Sequence, residues 1–174
     1  VDTETEKEIQ RALDNLVTFQ LAPALSGYKG ERGTNFYRQL LDRLQNAPGI
    51  TSAAVAAVPI LSGSEWDSST AVEGHPAADG EDMQAFMNSL SPGYFKTMGI
   101  PLLEGRDFNV QDTPDRAPVL IVSEAFARKY FNGASPLGRR VRAWGQWRTI
   151  VGMARNSKHF DPSEPDLPYF YSPL

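Results

Sequence analysis

Apolar positions recur along this chain in two rhythms. Over residues 16–21 they alternate, with Val17, Phe19 and Leu21 on one side, which predicts a strand. Further on they fall at Phe36, Tyr37, Leu40, Leu41 and Leu44, the stripe of an amphipathic helix lying on a sheet. Thr34 stands where a cap would start that helix, and Pro48-Gly49 stops it. Residues 51–60, rich in Ala and Val, read as the next strand. These three segments predict a β-α-β unit whose helical stripe belongs to the core. The pattern returns at 119–122, a continuous apolar run, followed by a helix over 123–131 that turns Phe126, Tyr130 and Phe131 inward.

Between these units the pattern is punctuated. Residues 62–80 read as an exposed loop around a short strand near 70–72, with Trp66 tucked beneath it first and, second, exposed to a partner or lipid headgroups, and 83–89 as a strand. Residues 109–118 and 156–168 are polar loops with several prolines. Residues 138–144 and 147–153 read as paired strands. Residues 1–14 are polar, with Ile9 and Leu13 as an isolated helical pair, and read as a lead-in. In 91–108, Ser91 is placed to cap a short helix and Pro92 suits its first turn. Tyr94, Phe95 and Met98 then share a face, and Gly99 ends the helix in the left-handed conformation. A strand over 100–103 and a turn at Gly105-Arg106-Asp107 follow. The fold class this predicts is α+β, a mixed sheet with helices on one face.

The ordered set of segments resembles one family. Residues 91–108 carry its signature, running from Ser91-Pro92-Gly93-Tyr94-Phe95 to Gly105-Arg106-Asp107-Phe108. The strand and aromatic-ended helix of 117–131, the turn Pro136-Leu137-Gly138-Arg139, the strand Ile150-Val151-Gly152 and the closing aromatic run Pro168-Tyr169-Phe170-Tyr171 match further elements in order. Upstream, 36–50 with Pro48-Gly49-Ile50 resembles the family's first helix and turn. The family is that of the extracytoplasmic core domains of MacB-type ABC transporter permeases, and within the FtsX/MacB superfamily the duplicated bacterial permeases resemble the chain most.

The resemblance implies a fold with a βαβ porter-like subdomain, 15–93 with 156–174, and a smaller, mostly β subdomain, 94–155, after a stalk remnant at 1–14. It implies a non-catalytic domain at the extracytoplasmic face of the bacterial inner membrane, with its membrane helices outside this soluble stretch. The domain would relay ATP-driven motion to export or extraction of a substrate, or to a periplasmic partner. The implied partners are a cytoplasmic ATPase and the permease's own membrane helices, with a second permease domain and a periplasmic adaptor as further candidates. A free secreted module that captures a peptide or lipid is the alternative.

Composition narrows the chemistry. The 174 residues are 41% hydrophobic and 22% charged, ordinary for a globular domain. The net charge of -4 gives no global attraction to nucleic acid, and no nucleic-acid partner is expected. Absence of Cys removes disulfides, thiolate metal sites and a Cys nucleophile. Gly133-Ala134-Ser135-Pro136-Leu137-Gly138-Arg139-Arg140 echoes a phosphate-binding loop, but Arg139 and Arg140 replace the needed Lys and hydroxyl, so it reads as a turn into a strand. His75 and His159 lack metal-ligand spacing; His159 with Asp161 and Glu164 is the nearest approach to a site and reads as surface loop. Ser64 lacks the strand-turn-helix elbow of a nucleophilic serine. The sequence therefore names no catalytic, cofactor-binding or metal-binding residue and no cofactor. A hydrolase would instead show a deep pocket holding a histidine paired with a carboxylate. Arg139, Arg140, Arg142, Arg148 and Arg155, interleaved with Trp144 and Trp147, read first as a charged solvent face and second as a surface for docking a protein.

Overall fold

The computed structural model describes residues 15–60, 62–113 and 118–174, so the lead-in expected over 1–14 lies outside the described residues. Helices α1 (Glu31–Gln45), α2 (Tyr94–Thr97) and α3 (Glu124–Phe131) accompany eight strands. These are β1 (Trp66–Ser69), β2 (Ala71–Val72), β3 (Gln84–Leu90), β4 (Leu102–Gly105), β5 (Val119–Ser123), β6 (Arg140–Ala143), β7 (Gln146–Ala154) and β8 (Tyr169–Pro173). They form one sheet in the order β1-β3-β8-β5-β7-β6-β2. Long β7 pairs β6 through its first half and β4 through its second. The β3–β8 and β5–β7 pairs are parallel and the other pairs antiparallel.

Side chains alternate across each strand, so the sheet carries two cores. One face gathers Met87, Phe170, Leu120, Val122, Ile150 and Val141 under Phe126 and Tyr130 of α3. The other gathers Leu90, Tyr169, Tyr171, Val119, Ile121 and Ala154 against Tyr94 and Phe95 of α2. The class is α+β with a mixed sheet, as expected. The helices were expected on one face and stand on both, because β3, β5 and β8 are apolar in both phases of their alternation.

Local chemistry explains the element ends. Ser123 caps α3, its Oγ accepting from Phe126 N–H at 3.2 Å, and Asn132 closes the helix at φ 51°. Glu124 in the first turn and Arg128 and Lys129 in the last complement the helix dipole. At α2 the cap differs from expectation. The helix starts after Gly93, and Ser91 Oγ instead accepts from Val55 N–H at 2.9 Å, tying a distant segment to the end of β3. Asp107 holds the turn after β4, accepting from Gly93 N–H and Phe108 N–H. Arg106 makes a two-pronged pair with buried Asp112, at 2.6 and 2.9 Å.

The first β-α-β unit is the main departure. Helix α1 forms but starts at Glu31 rather than at Thr34. Its stripe, Phe36, Tyr37, Leu40, Leu41 and Leu44, is only half-buried and does not join the core. Residues 16–21 pair with no strand among the described residues, and Val17 is 83% exposed. Alternation marks which side of a segment would be apolar; it does not supply a neighbouring edge to pair with. Residues 51–60 make one bridge, Ala56 to Leu90, rather than a full strand. Buried Asn88 does much of the holding, donating to the Val58 carbonyl and accepting from the Val58 N–H, each at 2.9 Å.

At one strand pair two glycines face each other. Gly105 of β4, at φ 73°, sits opposite Gly152 of β7. A Cβ on Gly105 would collide with the Val151 carbonyl oxygen and the Leu137 side chain, and one on Gly152 with the Arg106 carbonyl oxygen. Gly99 has φ 67° but open space around it. Gly99→Ala therefore costs only left-handed backbone strain, about 1 kcal/mol. Gly105→Ala adds a clash with backbone and costs more than about 3 kcal/mol or prevents folding. Urea unfolding of the two variants measures the difference, and equal losses would disprove the close-approach account.

Candidate functional site

The β6–β7 hairpin gathers most of the basic and aromatic residues singled out in the sequence. Ala143 faces Gln146, leaving the two-residue turn Trp144-Gly145, with φ 51° and 76°. Both positive angles define the turn family that twists with the strands and that usually begins with Asn or Asp. A bulky residue there is uncommon, so Trp144 occupies its place against backbone preference. Its ring lies 5.5 Å from that of Phe170 and 4.8 Å from the Arg148 guanidinium carbon, closing the rim of the α3-side core.

The register divides the cations between the two sides of the hairpin. Val141 opposes Arg148, and Arg142 opposes Trp147. Arg148 thus shares a phase with Ile150 and points to the core side, where it is 9% exposed. On the opposite side Arg140 lies over the Trp147 ring at 5.5 Å and pairs with Glu73 at 2.6 Å. Trp144 and Trp147 remain 46% and 43% exposed. Arg155 lies beyond the far end of β7, its N–H bonded to the Pro101 carbonyl, so the structure separates it from the group. The shared phase of Arg148 and Ile150 was readable from their i, i+2 spacing; the register shift after Ile150, which turns Ala154 to the α2-side core, and the cover of Arg148 by Trp144 were not. Trp66, expected beneath its loop, stands in edge strand β1 and is half-exposed.

The remaining candidates resolve into local structure. In the loop that echoes a phosphate cradle, Gly138 N–H donates to Ile150 and Arg139 N–H to Pro136, so these groups close a turn. Glu164 accepts from the N–H groups of His159, Phe160 and Asp161, and Asp161 accepts from Ser163. That set is a capped turn with its carboxylate oxygens in use. Among the described residues no three His, Cys, Asp or Glu side chains stand together to hold a metal. His75 contacts Glu81 at 2.8 Å in a surface loop, and the Ser64 backbone N–H donates to Ser62 Oγ. Open grooves of about 390 and 230 Å³ flank α1 near Tyr28 and Phe36, away from both histidines.

His159 is buried, stacked on Tyr169 at 4.2 Å, with Nε2 2.9 Å from Ser157 Oγ and 2.8 Å from Tyr171 Oη. Its Nδ1 is buried without a hydrogen-bond partner. Among the described residues no carboxylate orients that nitrogen, so the Ser157–His159 contact lacks there the third member that activates a serine. Burial pushes the His159 pKa down to about 4, against a smaller opposing pull from Glu164. Burial also raises the Tyr171 hydroxyl well above the usual phenol range.

The chain belongs to the family of MacB-like periplasmic core domains, whose model matches residues 2–173. Its fold is similar to the periplasmic region of MacB from Actinobacillus actinomycetemcomitans, with a TM-score of 0.54 at 18% identity, covering 78% of this chain and 54% of that one. It is likewise similar to the extracellular domain of the noncanonic ABC-type transporter YknZ from Gram-positive bacteria, with a TM-score of 0.52 at 21% identity, covering 78% and 60%. In sequence it is 30% identical over 92 residues to the uncharacterized ABC transporter permease YknZ of Bacillus subtilis strain 168, which is 51% of this chain and 23% of that permease. The chain thus spans under a quarter of that permease and little more than half of each solved region. It is a periplasmic or extracellular domain of the ABC transporter permease kind, and no helix among its described residues is long and apolar enough to cross a membrane.

The His159 environment sets a pH dependence. The folded pKa lies below the ordinary 6.5, so between about pH 6.5 and 4 the unfolded chain binds a proton that the folded chain refuses. Stability therefore falls as pH drops through that window, by up to about 3 kcal/mol at its lower end. Urea unfolding at pH 7 and pH 5 should show this slope in the wild-type chain and its loss in His159→Gln. An unchanged slope in the variant would assign it to other groups.

Proposed function

We propose that this domain is the non-catalytic relay of its parent permease. Motion driven by a cytoplasmic ATPase would reach it through the permease's membrane helices. The domain would pass that motion to a substrate being exported or extracted, or to a periplasmic partner such as an adaptor. A second permease domain of the same parent is a further contact of this kind. The observation that carries the reading is the family match over residues 2–173 joined to one hydrogen-bonded sheet running from β1 to β2. Force applied at one strand of such a sheet is carried through backbone hydrogen bonds to the others. A division into 15–93 with 156–174 and 94–155 fits this picture. Its seam would be the β5–β8 and β2–β6 contacts, where Ile121 pairs Tyr171, Val122 pairs Phe170, Ala71 pairs Arg142 and Val72 pairs Val141. Both sides bury apolar residues at that seam, so the two parts would move together.

These 174 residues hold no Cys, so a cysteine introduced here is unique within the domain. Val110→Cys places a label at a residue 86% exposed in the described structure. In the full transporter, a spin label there should report a change in distance to its counterpart, or to a label on the membrane helices, when ATP is added. The change should vanish when the ATPase cannot hydrolyse or release ATP. A distance distribution indifferent to nucleotide in an actively transporting preparation would overturn the relay.

A further inference from the structure

Among the described residues Arg148 is a buried cation with no anion beside it. It is 9% exposed, its Nε is buried without a partner, and its guanidinium makes no hydrogen bond or ion pair among the described residues. The contact it does make is the Trp144 ring face at 4.8 Å. An aromatic face attracts a cation but leaves the guanidinium's in-plane donors unanswered. Removing a charged group from water without supplying an opposite charge is destabilising. Other buried charges here are answered: Asp112 by Arg106, for example, at 2.6 Å.

A second observation points the same way. Residues 125–160 contain eight Lys and Arg and no Asp or Glu, whereas the remaining residues hold nine basic and twenty-one acidic groups. The hairpin that carries Arg148 is thus locally basic on a chain that is acidic elsewhere. Its tip offers two half-exposed Trp rings, each already holding an Arg. We propose that the Trp144–Arg148 pair at the tip of the β6–β7 hairpin is a docking site for an acidic segment of a partner protein, one carboxylate of which pairs with the Arg148 guanidinium.

The chemistry favours a protein carboxylate over an anionic bilayer. A planar carboxylate matches the guanidinium fork. A charged bilayer would meet the acidic remainder of the chain as well as the hairpin, and that remainder carries a net charge of -12. A flexible acidic segment meets only the basic stretch. Trp144 holds the guanidinium plane in place before the partner arrives, which explains why a tryptophan occupies a turn position better suited to Asn.

The test uses the 174-residue chain and a hexaglutamate peptide as probe, with hexalysine and phosphatidylglycerol vesicles as comparisons. Hexaglutamate at ten times its Kd should raise the thermal midpoint on the order of 4 °C and shift tryptophan emission. Arg148→Gln should weaken binding at least about tenfold. Arg142→Gln, on the other side of the hairpin, should keep most of it. Trp144→Asn supplies the residue that this turn prefers, so the hairpin is retained; it should lose about fivefold in affinity. That variant decides the matter if Arg148→Gln fails to fold. No response of the wild-type chain to hexaglutamate, or equal affinity of the wild type, Arg148→Gln and Trp144→Asn, overturns the proposal. Binding to vesicles without binding to the peptide also overturns it, in favour of a membrane surface.

Discussion

The structure depends on β8. All five residues of Tyr169–Pro173 are buried, and the strand lies between β3, which it meets in parallel, and β5, which it meets in antiparallel. Phe170 enters one core and Tyr169 and Tyr171 the other. Remove β8, and β1–β3 on one side and β5–β7–β6 on the other lose both their shared hydrogen bonds and the aromatic wall each packs against. The polar links in this region serve the same closure. Ser89 and Ser172 share a hydrogen bond at 2.8 Å across the β3–β8 pair, and Ser123 Oγ accepts from Tyr169 N–H at 3.0 Å while also capping α3. One hydroxyl thus fixes a helix start and a strand register together.

Much of this was legible where a local signal and its tertiary use coincide. The apolar run 119–122 followed by Ser123 became β5 and a capped α3, because a strand buried on both faces needs no alternation and a serine at its end suits the next helix. The paired strands around Trp144 and Trp147 were legible for a similar reason: alternation on both sides of a Gly-containing turn. The glycine at the end of α2 was readable from helix-stop chemistry, and its φ of 67° agrees.

What the chain hid were choices among partners. Ser91 has the side chain of a helix cap, yet its hydroxyl serves the Val55 N–H, and Gly93 starts α2 instead. Val17, Phe19 and Leu21 alternate like a strand but no described edge lies alongside them, and the stripe of α1 stays half-exposed. Asn88, unremarkable in sequence, replaces part of a strand ladder by bonding both backbone groups of Val58. The hairpin site was half-legible: its residue types stood out, but a cation-over-ring geometry depends on a turn conformation that Trp rarely adopts.

The position of β8 in the chain order also constrains how the domain comes into being. β3 must wait for a partner separated from it by some 80 residues, since Phe86 pairs with Tyr169. Contacts of such separation form slowly, and until they form the apolar faces of β3 and β5 stand open to other chains. A polypeptide delivered through a membrane from its leading end would therefore stay unsealed throughout delivery and close in a single late event. In that interval its safety rests on chaperones and on speed, not on the native contacts described above.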